Sequence, residues 1–233
     1  MFSKAHTSAV AAEFIGTFVL SLAVLTVSKS SLNLPFFVSA TAGIVVAGMM
    51  LLFGRISGAQ LNPAITIGSL SVKRVTPTRA VVYVIAQLIG GFLAYYLFAY
   101  YSGQKWHSTG VFESKILVAE VIGTFIFSLA WAAIVFQKLE SAKAVTIAGL
   151  SLTISLVAMS SAGVVSLNPA VSLGLRSWLW GSTVLGPIIG ALVGFQVYKY
   201  LFAPESAQTR RPSPGITSVR NTTAQLRRTK PSH

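Results

Sequence analysis

The chain has 233 residues, of which 53% are hydrophobic and only 10% charged, and its mean hydropathy is +0.70. Soluble domains carry about 25% charged residues, so these side chains are too few to coat a water-soluble globule, and a soluble enzyme is excluded. There is no Cys, which removes disulfides, thiolate metal sites and a Cys nucleophile; the net charge of +13 points to nucleic acid only if its placement allows it.

A bilayer core of roughly 30 Å takes about 20 apolar residues per helix. Six stretches qualify in chain order: 8–28, 35–53, 79–101, 115–136, 144–162 and 180–202. The first lacks a small-residue cleavage pattern and is not read as a removable signal peptide. Six spans put both termini on one side. If that side is cytoplasmic, the inner loops and ends hold Lys4, Arg55, Lys73, Arg74, Arg79, Lys138, Lys143, Lys199, Arg210, Arg211, Arg220, Arg227, Arg228 and Lys230. Only Lys29, Lys105, Lys115 and Arg176 remain outside. This positive-inside bias places the N- and C-termini in the cytoplasm of a cell-membrane protein. The charge is therefore an orientation signal, and no nucleic-acid partner is expected. Residues 204–233 are rich in Ser, Thr, Pro and Arg and are expected to form a disordered basic cytoplasmic tail.

The spans contain a duplication. Ala12-Glu13-Phe14-Ile15-Gly16-Thr17-Phe18 recurs as Ala119-Glu120-Val121-Ile122-Gly123-Thr124-Phe125, and Leu61-Asn62-Pro63-Ala64 recurs as Leu167-Asn168-Pro169-Ala170. Repeat one covers about 8–102 and repeat two about 115–203 within a domain of residues 1–203. Each repeat holds three spans. Three is odd, so the second copy enters the membrane from the opposite side, an inverted repeat that places a pathway at the midplane.

Asn is a good helix N-cap, and Pro is favoured at the first helical position. Asn62-Pro63 and Asn168-Pro169 therefore each start a helix. Both helices are short, Ala64 to about Leu70 and Ala170 to about Leu175. At 1.5 Å per residue these reach on the order of 10 Å and cannot span a bilayer. They read as re-entrant half-helices whose positive N-terminal ends meet near the midplane. The preceding backbone, Gly58-Ala59-Gln60 and Val164-Val165-Ser166, must then line a watery cavity or be buried in protein.

With these duplicated motifs, the chain resembles the aquaporin, or major intrinsic protein, family over roughly residues 8–203. The resemblance implies an all-α membrane protein of six transmembrane helices plus two re-entrant half-helices. It implies a passive channel for water and small uncharged solutes of the glycerol, urea or ammonia class, with no cofactor, no metal and no catalytic residues. It further implies a homotetramer in the lipid bilayer, each protomer holding its own pore. Asn62 and Asn168 would donate to the passing oxygen. The carbonyls of Gly58, Ala59, Gln60, Val164, Val165 and Ser166 would accept its protons. Glu13 and Glu120 would brace the re-entrant loops rather than relay protons.

One departure bears on the solute. Water-selective members carry an Arg directly after the second Asn-Pro-Ala and an aromatic residue in the same constriction; here the Arg position is Val171. The remaining filter positions, counted from the motifs, are Ala42, Leu156 and Val165. Gly163 lies five residues before Asn168 whereas Gly58 lies four before Asn62, and a bulge there would put Ser155 in place of Leu156. Glycerol-type members follow the Arg with Asp; here Ser172 stands there. Arg176 reads as a charge on the outer face. The constriction should be wider and apolar, since Val supplies neither donors nor charge. The alternative function is a non-conducting scaffold or adhesion protein on the same fold. An intramembrane enzyme lacks parts, since His6, His107 and His233 lie outside the spans.

Overall fold

The computed structural model describes residues 4–105 and 111–208; the basic stretch from Arg210 onward and His107 lie outside them. Among the described residues all regular structure is helical: α1 (Lys4–Ser28), α2 (Pro35–Phe53), α3 (Pro63–Ser71), α4 (Pro77–Ser102), α5 (Ser114–Gln137), α6 (Ser141–Met159), α7 (Pro169–Gly174), α8 (Leu185–Leu201) and α9 (Glu205–Gln208). A 3₁₀ turn, Ser160–Ala162, extends α6, and a π-helical turn, Trp180–Val184, leads into α8. Six of these helical runs are long and apolar enough to cross a membrane: α1, α2, α4, α5, α6 with its turn, and α8 with its π turn.

Several boundaries differ from the hydropathy reading, among them the start of α6 at Ser141, three residues before the expected 144. Helix α1 starts at Lys4, ahead of the apolar run, because hydropathy marks the thickness of the apolar slab and not the length of the helix. Helix α4 starts two residues earlier, where the Thr76 hydroxyl accepts from Arg79 N (3.4 Å) and Pro77 occupies the first turn. The sixth span opens with the π turn instead of regular α-helix. Pro187 explains this locally, because it has no N–H to give the residue four before it. That residue is Thr183, and its carbonyl takes the Ser172 hydroxyl at 3.5 Å.

Within each repeat the first and third spans pack together, α1 on α4 and α5 on α8, while α2 and α6 meet across the repeats. The crossings need small residues. Added methyl groups at Gly90 and Gly190 would land on the backbone of Phe14 and Val121, and Gly43 and Gly149 face each other between α2 and α6. Ala86-Gly90-Ala94 and Gly186-Gly190-Gly194 thus serve contacts inside one chain, where close backbone approach replaces the hydrophobic effect missing in lipid. The perimeter is apolar, with Ile44 72% and Leu51 69% exposed. In water such a surface would aggregate, whereas lipid solvates it.

The short helices fill the centre. Helix α3 packs on α8 and α4, and α7 on α4 and α1. Each half-helix therefore packs chiefly on spans of the other repeat, α3 on α8 and α7 on α4 and α1. The side of the bundle where α1 begins and α8 ends is its terminal face, and the opposite side is its far face.

Candidate functional site

The centre is built by the two Asn-Pro-Ala motifs. Asn62 and Asn168 are extended (φ −154° and −156°) and cap α3 and α7. The Asn62 side-chain oxygen accepts from Ala64 N at 2.9 Å, and that of Asn168 from Ala170 N at 3.0 Å and Val171 N at 3.4 Å. Pro63 and Pro169 occupy the first turn, where no N–H is missed. The amide nitrogens reach across to the other repeat. Asn62 Nδ2 donates to Leu167 O and Asn168 Nδ2 donates to Leu61 O, each at 2.8 Å. This reciprocal clasp joins the two half-helices end to end. It needs Leu61 and Leu167 in the left-handed region, at φ 52° and 54°. That conformation costs an L-residue roughly 1–2 kcal/mol and survives only where neighbours over-determine it.

Two buried carboxylates supply that restraint. Glu13 on α1 accepts from Gln60 N (3.0 Å), Leu61 N (2.7 Å) and Gln87 Nε2 (2.8 Å). Glu120 on α5 accepts from Ser166 N and Leu167 N, both at 2.8 Å, and from the Ser166 hydroxyl at 3.4 Å. Both are 0% exposed. The strained leucines are thus gripped by their own N–H groups. Sequence reasoning missed the remaining polar members. In repeat one Gln87 Nε2 also donates to the Thr66 hydroxyl (3.0 Å), which donates to Gln60 Oε1 (2.8 Å). Tyr83 OH donates to Ser57 O (3.1 Å). In repeat two a Ser166–Ser172 hydroxyl pair takes the place of Gln60 and Thr66. A Gln inside an apolar span was the available signal, since such a group needs a partner in lipid.

A cavity of about 760 Å³ descends from the far face to this centre. It is lined at depth by Asn62, Asn168, Gln60 and Ser166, and higher up by Ala42, Leu156, Val165 and Val171. Val164 also lies on its wall, whereas Gly58 and Ala59 do not. Leu156 faces the cavity and Ser155 is fully buried away from it. The extra residue of the second loop is accommodated by Gly163 at φ 129° and an exposed Val164, so α6 keeps its register. Arg176 stands at the C-terminal end of α7 on the cavity wall, its guanidinium 4.8 Å from the centre of the Tyr95 ring. Among the described residues no group of three or more His, Cys, Asp or Glu comes together to hold a metal.

Residues 1–198 match the family model of the major intrinsic proteins. The chain belongs to that family. It is 33% identical to Aquaporin Z of Photorhabdus laumondii, covering 83% of this chain and 96% of that protein. It is 28% identical to Aquaporin AqpM of Methanothermobacter marburgensis, covering 82% and 95%. The X-ray structure of the aquaglyceroporin from Plasmodium falciparum superposes with a TM-score of 0.71 at 21% identity, over 84% of this chain and 96% of that one, which shows the shared fold. This major intrinsic protein is accordingly an integral membrane protein of a channel family, with six spans and two half-helices, and not an enzyme.

Proposed function

We propose that the protein is a passive channel for water and small uncharged solutes of the glycerol, urea or ammonia class, as homotetramers in the cell membrane with cytoplasmic termini. Residues 1–203 form the channel, and 204–233 are a basic cytoplasmic appendage. The observation that carries this reading is the cavity that ends on Asn62 and Asn168 and passes an uncharged ring of Ala42, Leu156, Val165 and Val171. An Asn side-chain amide has two N–H donors. The clasp uses one of them on each Asn, which leaves the other for a passing water or hydroxyl oxygen. The carbonyls of Gln60, Val164, Val165 and Ser166 on this cavity, and those of Gly58 and Ala59 beyond it on the terminal side, accept its hydrogen bonds. The N-termini of α3 and α7 both end at this point, so their partial positive charge opposes cations, protons included. Glu13 and Glu120 brace the loops and take no part in transfer.

The apolar ring sets the solute class. With Val171 where an Arg would narrow the passage, no fixed donor or charge selects water alone. Stopped-flow osmotic shock of proteoliposomes with water, glycerol, urea and ammonia in parallel tests the reading, with Asn168→Asp as the altered-pore control. Flux of water together with at least one of the solutes, changed by Asn168→Asp, is the expected result. Water flux with rejection of every solute refutes the proposed solute class, and no flux of anything favours a scaffold.

A further inference from the structure

The inverted repeats line the two halves of the pathway with related but unequal side chains. Leu20, Val24 and Ser28 follow one another at single-turn intervals on α1, and all three line the cavity. The offset of 107 that carries Glu13 to Glu120 carries these positions to Phe127, Trp131 and Val135 on α5. Because the repeats run in opposite senses, the α1 series climbs from the Asn pair to the far face and the α5 series descends to the terminal face. Phe127 still reaches the cavity. Trp131, one turn further, does not: it is 2% exposed and stands edge-on to Phe127 with ring centroids 5.6 Å apart.

The offset of 106 that relates the two Asn residues does the same for the ring in the far half. It carries Ala42 to Ala148, brings Leu156 back to Met50, and brings Val171 back to Ile65. Ala42, Leu156 and Val171 border open space. Ala148, Met50 and Ile65 do not reach the cavity; they sit with Trp131 and Phe127 in an apolar cluster that Ala42, Leu156 and Val171 also join, so the two rings differ in the open space beside them and not in burial. The terminal half therefore contains a counterpart of the apolar ring, and the position beside it holds an indole where the far half has the isopropyl group of Val24. The difference in bulk accounts for one ring being open and the other filled.

We infer that Trp131, backed by Met50 and Ile65, is the narrowest point on the terminal side and sets the size limit of the solutes that cross. This rests on the protein being a channel. The far ring lacks an Arg and is roomy, so the size selection it does not perform falls to the indole. An apolar constriction of this kind also passes water slowly, because each molecule gives up hydrogen bonds there without replacement.

The test uses full-length protein in proteoliposomes and a graded series of water, urea, glycerol and erythritol. Trp131→Val, which copies the far half, is expected to raise the glycerol-to-water permeability ratio severalfold and to admit erythritol; Trp131→Phe is expected to fall between. Met50→Ala opens the same ring from α2 and has to move the ratio in the same direction, which keeps the inference testable if Trp131→Val fails to fold. The ratio is independent of how much protein folds, so a mere core-filling role of Trp131 leaves it unchanged. Unchanged ratios in Trp131→Val, Trp131→Phe and Met50→Ala, in channels that still pass water, overturn the inference and leave the channel reading standing. A silent wild type with a conducting Trp131→Val supports both. Silence of the wild type and of all variants overturns both.

Discussion

Glu13→Ala removes the acceptor that holds the first pore loop. The carboxylate takes the N–H groups of Gln60 (3.0 Å) and Leu61 (2.7 Å) and the side-chain amide of Gln87 (2.8 Å). The site is fully buried, so no water replaces the lost oxygens. A buried donor left without a partner costs about 1–3 kcal/mol, so the two backbone donors alone make about 2–6 kcal/mol, and Gln87, which keeps its bond to the Thr66 hydroxyl, adds a smaller amount. Total stabilities are only roughly 5–15 kcal/mol, so this is a large share. Glu120→Ala strands two backbone donors, Ser166 N and Leu167 N, while the Ser166 hydroxyl keeps Ser172 and Asn168 O as partners. Its cost is smaller, because no third donor adds to the about 2–6 kcal/mol of the two backbone groups. Glu13→Gln keeps one acceptor oxygen and is expected between wild type and Glu13→Ala. The assay is thermal unfolding of detergent-purified protein, followed by tryptophan fluorescence and by the monodisperse fraction surviving on size exclusion. The expected order of stability is wild type, Glu120→Ala, Glu13→Ala. A Glu13→Ala protein that melts with the wild type, or one that outlasts Glu120→Ala, refutes the bracing account.

Three further outcomes are expected. Val171→Arg puts a fixed charge and donors into the apolar ring and should lower glycerol and urea flux relative to water in the proteoliposome assay, so an unchanged ratio refutes the placement of the ring. Asn62→Asp replaces the donor that reaches Leu167 O with a carboxylate oxygen facing a carbonyl; the lost clasp should cost about 2–3 kcal/mol in the same melting assay, and wild-type stability would falsify it. Gly91→Ala drives a methyl group into the Ala170 carbonyl and should destabilise by about 1–3 kcal/mol, whereas Gly48→Ala, with nothing within 4 Å, should be near neutral.

The spans and the half-helix starts were legible because they depend on local chemistry. Apolar length marks a membrane crossing, and Asn followed by Pro marks a helix start wherever it occurs; the caps on Ala64 N and Ala170 N are the local result. What the sequence did not disclose depends on contacts between repeats. Nothing near Asn62 says that its amide ends on Leu167 O, since that partner is set by how two inverted units dock. Helix α7 stops at Gly174, one residue short of expectation, because Arg176 enters the left-handed region (φ 58°) and its N–H turns back onto Leu173 O. The π turn at Trp180–Val184 was hidden for a different reason, as Pro187 acts from outside it. Gln87 was overlooked because its partners lie on α1 and α3, and only the structure brings them together.

The clasp at the centre also orders the making of the protein. Asn62 and its acceptor Leu167 are 105 residues apart, and Asn168 and Leu61 are 107 apart. Synthesis delivers them in sequence, so when the first pore loop leaves the ribosome its grips on Glu13 and Gln87 can form, yet its partner across the midplane has not been made. Contacts of such long separation close late. Repeat one is therefore complete in sequence while its half-helix still lacks the partner at its N-terminal end. The centre can close only after the second motif arrives from the other side of the bilayer. A chain cut short before Leu167 has most of its spans and no means of closing its pore.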